Sequence, residues 1–368
     1  MVSVRVFSGS ASPLTSFDHI RRIPCPHTYQ PTITLTSTKT LQSAVHVSTA
    51  IADTMVSPHP SLEVIGGALD SFLPAFKTLD RLYNTYPIIG WNRHAETIFA
   101  AFFRSLPDVR FRRECIRTKD DGAVALDWVS GDDRLLPADS PVLILLVCVV
   151  STLFPLGLTG GSGDTYVRHM LVRARSKRWR TVVFNSRGCG DSPVITSQFY
   201  SASFLGDMVE VVAHVGNRYP KANLYAVGWS LGANILVRYL GEESHTCPLS
   251  GAASLCNPFN LVIADEDFHK GFNIVYDKAL ANSLCKIFKK VEFYPSLLLS
   301  LSLGDLSIIH ENPNCLLIVT PQGGHLGWVA GTEAPRGAPW TDPVVMDFLE
   351  HLENVEALKH CTENLQVV

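Results

Sequence analysis

Charge is scarce in this 368-residue chain: 31 basic and 34 acidic side chains make up only 18% of it, the formal net charge is −3, and there is no run of basic residues. With nothing to neutralise a phosphate backbone, nucleic acid is not an expected partner. Cysteine is present but unpatterned. The nine residues run from Cys25 to Cys361 without a C-x-x-C pair, which argues against a disulfide framework or a zinc site. A clean membrane span is also missing. The most apolar run, Val142 to Leu158, has seventeen residues, at the bottom of the spanning range, and Ser151, Thr152, Pro155 and Gly157 interrupt it. It reads as a buried parallel strand that continues too far, with a membrane anchor as the less favoured alternative. Acids are almost absent from the first 52 residues, where Asp18 stands alone among many Ser and Thr and a few Arg and Lys. That stretch also lacks the apolar core of a secretion signal. It has the composition of a plastid or mitochondrial transit peptide or of a disordered tail, so plastid or cytoplasm is expected rather than export. Residues 1–57 are assigned to this leader and 356–368 to a tail. Between them, 58–355 is long enough for one large α/β core.

Within that core the chain alternates between strand-like and helix-like segments. A helical part is expected around Leu69 to Leu82. Phe111–Thr118 and Ala123–Ser130 flank the turn Lys119-Asp120-Asp121-Gly122, the signature of a β-hairpin. Val142 to about Val149, Arg180–Asn185, Tyr225–Val227, Gly251–Leu255 and Cys315–Thr320 are short apolar strands. Helical patterns over Tyr166–Arg175, Ser203–Arg218 and Asp342–Asn354 accompany them, the second with Met208, Val211, Val212 and Val215 facing inward. Strands and helices in this alternation predict a mostly parallel, doubly wound sheet.

Gly228-Trp229-Ser230-Leu231-Gly232 sits between a strand and a helix and fits G-x-S-x-G, the turn that presents a nucleophilic serine. Glycines are needed there because the backbone is sharply turned and the flanking strand and helix approach closely. Ser230 is the candidate nucleophile, and the Leu231 amide, at the helix N-terminus, is a donor for a developing oxyanion. Gly157-Leu158-Thr159-Gly160-Gly161-Ser162-Gly163-Asp164 lacks the G-K-[ST] ending of a phosphate loop. It suits an oxyanion loop in which the Leu158 amide is the second donor. Among thirteen histidines, His325 follows the last strand between paired glycines, in the serine–acid–histidine chain order, and is the candidate base. His94 reads as a polar residue at a helix start.

Several motifs occur together and in order: Asn92-Arg93-His94-x-Glu96-Thr97, Gly157-Leu158-Thr159-Gly160-Gly161, Asn185-x-Arg187-Gly188-x-Gly190, Gly228 to Asn234, and Gly323-Gly324-His325-Leu326-Gly327-Trp328. Over about Pro58 to Leu352 the chain resembles the plant embryogenesis-associated branch of the α/β-hydrolases, which is similar to yeast medium-chain ethyl-ester synthase/esterases and related animal lipases. The resemblance implies hydrolysis of carboxylic or acyl-lipid esters, sometimes acyl transfer, by a Ser-Asp-His triad without a cofactor. It also implies Ser230 as nucleophile, His325 as base and a small acyl ester or lipid as ligand.

Two segments depart from that pattern. Val147–Phe154 reads as an insertion ahead of the oxyanion loop, with Leu156 intruding between Pro155 and Gly157. Val291–His310, rich in Leu and Ser, stands where relatives carry cap helices, a further strand and the triad acid. Ser296–Leu303 can be read as a substitute strand ending at Gly304-Asp305, which makes Asp305 a stand-in acid; Asp265 and Asp267 are alternatives. A form lacking its acid and cap, whether catalytically impaired or ligand-binding, is therefore the rival to a working esterase.

Overall fold

The computed structural model describes residues 2–8, 63–67, 69–147, 160–198, 200–288 and 314–365. The strands are β1 (Val2–Ser8), β2 (Glu63–Ile65), β3 (Phe111–Arg117), β4 (Ala123–Val129), β5 (Val142–Leu146), β6 (Arg180–Asn185), β7 (Leu224–Trp229), β8 (Leu249–Leu255) and β9 (Cys315–Thr320). Among the described residues they form one sheet in the order β2-β9-β1-β8-β7-β5-β6-β4-β3. Its centre is parallel: β5 pairs with β6 and β7, and β7 with β8. The predicted β3–β4 hairpin forms and joins β6 antiparallel.

The helices are α1 (Arg93–Phe102), α2 (Thr165–Ser176), α3 (Gly206–Arg218), α4 (Leu231–Glu243), α5 (Leu261–Phe268), α6 (Asn273–Phe288) and α7 (Thr341–Leu365). They cover both faces of the sheet, which explains the unbroken apolar run of β5. Leu143 and Leu145 pack with Val167, Met170 and Leu171 of α2 and with Val344, Val345 and Phe348 of α7. Val142, Ile144 and Leu146 point the other way, toward Met208, Val211, Val212 and Val215 of α3 and Leu236 of α4. This is the two-residue alternation of a strand buried on both sides, and each such side chain contributes about 1.5–3 kcal/mol. Among the described residues, no helix is long and apolar enough to cross a membrane.

Three sequence expectations are corrected. Residues 2–8 are not part of a structureless leader: β1 lies between β8 and β9, antiparallel to both, with Val4 opposite Leu255 on one side and Ile318 on the other. Val2, Val4 and Val6 alternate with Ser3 and Arg5, the two-residue period of a strand, and the two flanking strands would otherwise each present an open edge. The helix expected over Leu69–Leu82 is one turn, Leu69–Phe72, followed by a 3-10 turn at Leu73–Ala75; Pro74 cannot continue an α-helix. The last helix passes Asn354 and runs to Leu365, because Glu356-Ala357-Leu358-Lys359 are strong helix formers with no breaker after them. The proposed substitute strand Ser296–Leu303 lies outside the described residues.

Candidate active site

β7 ends at Trp229 and α4 begins at Leu231. Ser230, between them, takes φ 52° and ψ −121°, a conformation that costs a non-glycine residue about 1–3 kcal/mol. The surroundings hold it there: the Ser230 N–H donates to Leu255 O at 2.9 Å and its carbonyl accepts from Asn234 N at 3.1 Å. A Cβ on Gly228 would lie 2.7 Å from Gly232 O, and one on Gly232 would lie 2.7 Å from Leu146 O. The glycines are thus required by backbone approach on either side of the serine. Leu231 is the first residue of α4, so its N–H is one of the donors a helix leaves without an intrahelical partner.

The loop leaving β9 brings His325 over this turn, with Nε2 3.0 Å from Ser230 Oγ. Two positions in the loop, Leu326 (φ 59°) and Trp328 (φ 44°), are left-handed without being glycine. Main-chain groups throughout the loop are held from the region of α1. Asn92 caps that helix, its Oδ1 accepting from His94 N and Ala95 N at 2.8 and 3.1 Å. Glu96, fully buried, accepts from Gly324 N (2.6 Å) and Val329 N (2.5 Å), and Thr97 Oγ1 accepts from His325 N (2.9 Å). Arg104 donates to Leu326 O and Gly327 O. His94 keeps the helix-start place expected of it, with Nδ1 3.1 Å from Tyr276 OH.

The electrostatics under the loop are those of a dry site. Burial pushes Glu96 above the usual carboxylate range against the pull of its two N–H partners, and lowers Arg104 to about 10. Asp342, at the start of α7, is pushed up to about 8. Desolvation alone pulls His325 down to about 4. His325 is nonetheless exposed by surface area, so what stands is the direction alone: desolvation favours the neutral imidazole. No carboxylate among the described residues contacts its ring. Asp265 and Asp267 are exposed on α5 and make other contacts: the Asp265 carbonyl accepts from His269, and Asp267 accepts from Asn273. Among the described residues, neither carboxylate makes a hydrogen bond or ion pair with His325. Asp305 and Leu158 lie outside the described residues.

The downstream half of the glycine-rich loop is anchored to the sheet. Asn185 Oδ1 accepts from Ser162 N at 3.1 Å, and Asp127 Oδ2 accepts from Ser162 Oγ (2.5 Å) and Asn185 Nδ2 (2.9 Å). Arg113 closes the group with two 2.7 Å bonds to Asp127. Asn185 therefore has a loop-holding part in its motif, while Arg187 is buried between Asp120 and Asp207. The sequence pattern marked the motifs of Glu96, Thr97 and Asn185 without giving them roles. Arg104 and Asp127 carried no mark at all, although a lone Asp inside the apolar strand Ala123–Val129 was a readable signal.

The α/β hydrolase fold family model matches residues 153–291. The chain is 50% identical over 361 residues to embryogenesis-associated protein EMB8 of Picea glauca, covering 79% of this chain and 77% of the spruce protein. It is 27% identical over 330 residues to phospholipase ABHD3 of Homo sapiens, covering 72% and 78%. It is also 38% identical over 133 residues to medium-chain fatty acid ethyl ester synthase/esterase 2 of Saccharomyces cerevisiae, covering 36% and 28%. With this similarity, a mostly parallel sheet and a serine on the turn between β7 and α4, the chain belongs to the α/β-hydrolase family.

Proposed function

We propose that this hydrolase cleaves carboxylic esters, with acyl-lipid or medium-chain acyl esters as the substrate class. The observation that carries the reading is the 3.0 Å contact of His325 Nε2 with Ser230 Oγ on a strained turn. Ser230 Oγ attacks the ester carbonyl as His325 takes its proton. The new Oγ–acyl bond forms, the carbonyl electrons move to oxygen, and the Leu231 N–H meets that charge, with the Leu158 N–H as the second donor. The tetrahedral species collapses, the C–O bond to the alcohol breaks, and the imidazolium protonates the leaving alcohol. Water, deprotonated by His325, then releases the acid. An apolar acyl chain is supported by exposed Val262, Ile263, Phe272, Ile274 and Val275 on α5, α6 and the turn between them, which follow β8 at the same sheet end as Ser230. It is supported also by the phospholipase and esterase names of the relatives.

The lack of a carboxylate at His325 among the described residues favours a second reading, an impaired form; replacing the acid of a serine protease triad costs about 10⁴ in kcat. Hydrolysis of p-nitrophenyl acyl esters of graded chain length separates the two. Turnover abolished by Ser230→Ala and His325→Ala supports the esterase. Folded protein whose turnover is unchanged by either substitution, or is nil, supports the impaired form.

A further inference from the structure

We propose that Thr97, Glu96 and Arg104 are positioning residues that set His325 against Ser230; the inference rests on the ester-hydrolase reading. In a complete triad, a carboxylate on Nδ1 fixes the imidazole ring. The backbone of the histidine loop is a second place at which the ring can be positioned, and α1 with Arg104 just beyond it holds that backbone. Thr97 Oγ1 accepts from the N–H of His325 itself at 2.9 Å while donating to Arg93 O at 2.8 Å. Glu96 spans the loop, one oxygen on Gly324 N and the other on Val329 N. Because both oxygens face N–H donors, only a carboxylate satisfies them. Arg104 takes the carbonyls of Leu326 and Gly327, at and beside the two left-handed residues. Gly324 lets the loop lie flat on the helix, since a Cβ there would come within 2.6 Å of Arg93 O, Thr97 N and Thr97 Oγ1. These contacts explain the Asn92 to Thr97 motif, because the helix presents acceptors at the spacing of the histidine loop. A displacement of about 1 Å at the reacting atoms is worth about 100-fold in rate, so loosening this hold acts on kcat.

The test compares Thr97→Val, which keeps the shape and loses the acceptor, with Thr97→Ser, which keeps the acceptor. The readouts are kcat and KM on p-nitrophenyl butyrate, the rate of fluorophosphonate labelling, and Tm. Thr97→Val is expected to lower kcat and the labelling rate about tenfold with KM and Tm unchanged, and Thr97→Ser to restore both to near wild type. Glu96→Gln, which turns an amide NH2 toward an N–H donor, is expected to lose about 100-fold in kcat. It is the variant at risk of misfolding, so the Thr97 pair decides. A wild-type kcat in Thr97→Val, a Thr97→Ser variant as slow as Thr97→Val, or a loss matched by a fall in Tm overturns the positioning role while leaving the Ser230–His325 reading intact. Wild-type protein that neither hydrolyses the ester nor takes the label overturns both.

Discussion

Gly232 and Gly241 lie on the same helix, α4, and the same substitution is expected to act on them with opposite sign. A Cβ at Gly232 would stand 2.7 Å from Leu146 O and 3.0 Å from its carbonyl carbon, whereas at Gly241 it would meet nothing within 4 Å. Leu146 is the last residue of the central strand β5, so it cannot swing aside as a flexible side chain would. To regain ordinary contact at 3.4 Å, the start of α4 must retreat by about 0.7 Å (3.4 − 2.7). Overpacking of this kind costs about 1–3 kcal/mol, and the gain from replacing a helical glycine by alanine returns up to about 1 kcal/mol. The net loss for Gly232→Ala is up to about 2 kcal/mol, lowering Tm by up to about 8 °C. The retreat also carries Ser230 and the Leu231 N–H out of line, and a shift of that size is worth tens-fold in rate. Gly241→Ala has only the helix-propensity gain, about 1 kcal/mol, and should raise Tm by a few degrees at unchanged rate. Thermal denaturation and fluorophosphonate labelling rates of the two variants decide. Equal Tm and equal rates for both would refute the claim that close packing of α4 on β5 shapes the serine turn.

The pH profile follows from the neutral imidazole. A base whose pKa is lowered keeps its active form as pH falls, so the acid limb of kcat/KM should lie below the ordinary imidazole value of 6.5; a limb at 6.5 or above would mean that a carboxylate faces the ring. Asp342 gives a stability test. Its folded pKa, about 8, lies above the unfolded 3.8, so its contribution is fully present below 3.8 and is lost as pH rises through 8. Asp342→Asn should therefore gain stability over wild type by roughly 1 kcal/mol per pH unit between pH 5 and 8, read from denaturant midpoints, and a constant difference would mean that Asp342 is not held as a buried acid. Arg5→Pro in β1 deletes a ladder donor in the middle of the sheet and should lower Tm; an unchanged Tm would take residues 2–8 out of the sheet.

Most of the fold was legible because its strands and helices obey local rules. Arg180–Asn185 and Cys315–Thr320 were bounded as observed, and Met208, Val211, Val212 and Val215 are the buried face of α3. β1 was missed because Ser and Thr dominate the residues after it, and a composition window averages away seven alternating residues. The partnership of Ser230 with His325 was readable from the glycines around each, since those glycines record close backbone contacts. The hold of Glu96, Thr97 and Arg104 was not, because its partners are main-chain atoms more than 220 positions away, which the motif of Glu96 and Thr97 does not name.

Whether Ser230 and His325 work as nucleophile and base is decided by treating the purified protein with a fluorophosphonate and mapping the adduct by mass spectrometry, with Ser230→Ala and His325→Ala beside it. One adduct is expected, on Ser230, absent in Ser230→Ala and formed much more slowly in His325→Ala. A folded protein that takes no adduct, or takes one at another residue, would contradict the assignment of both residues.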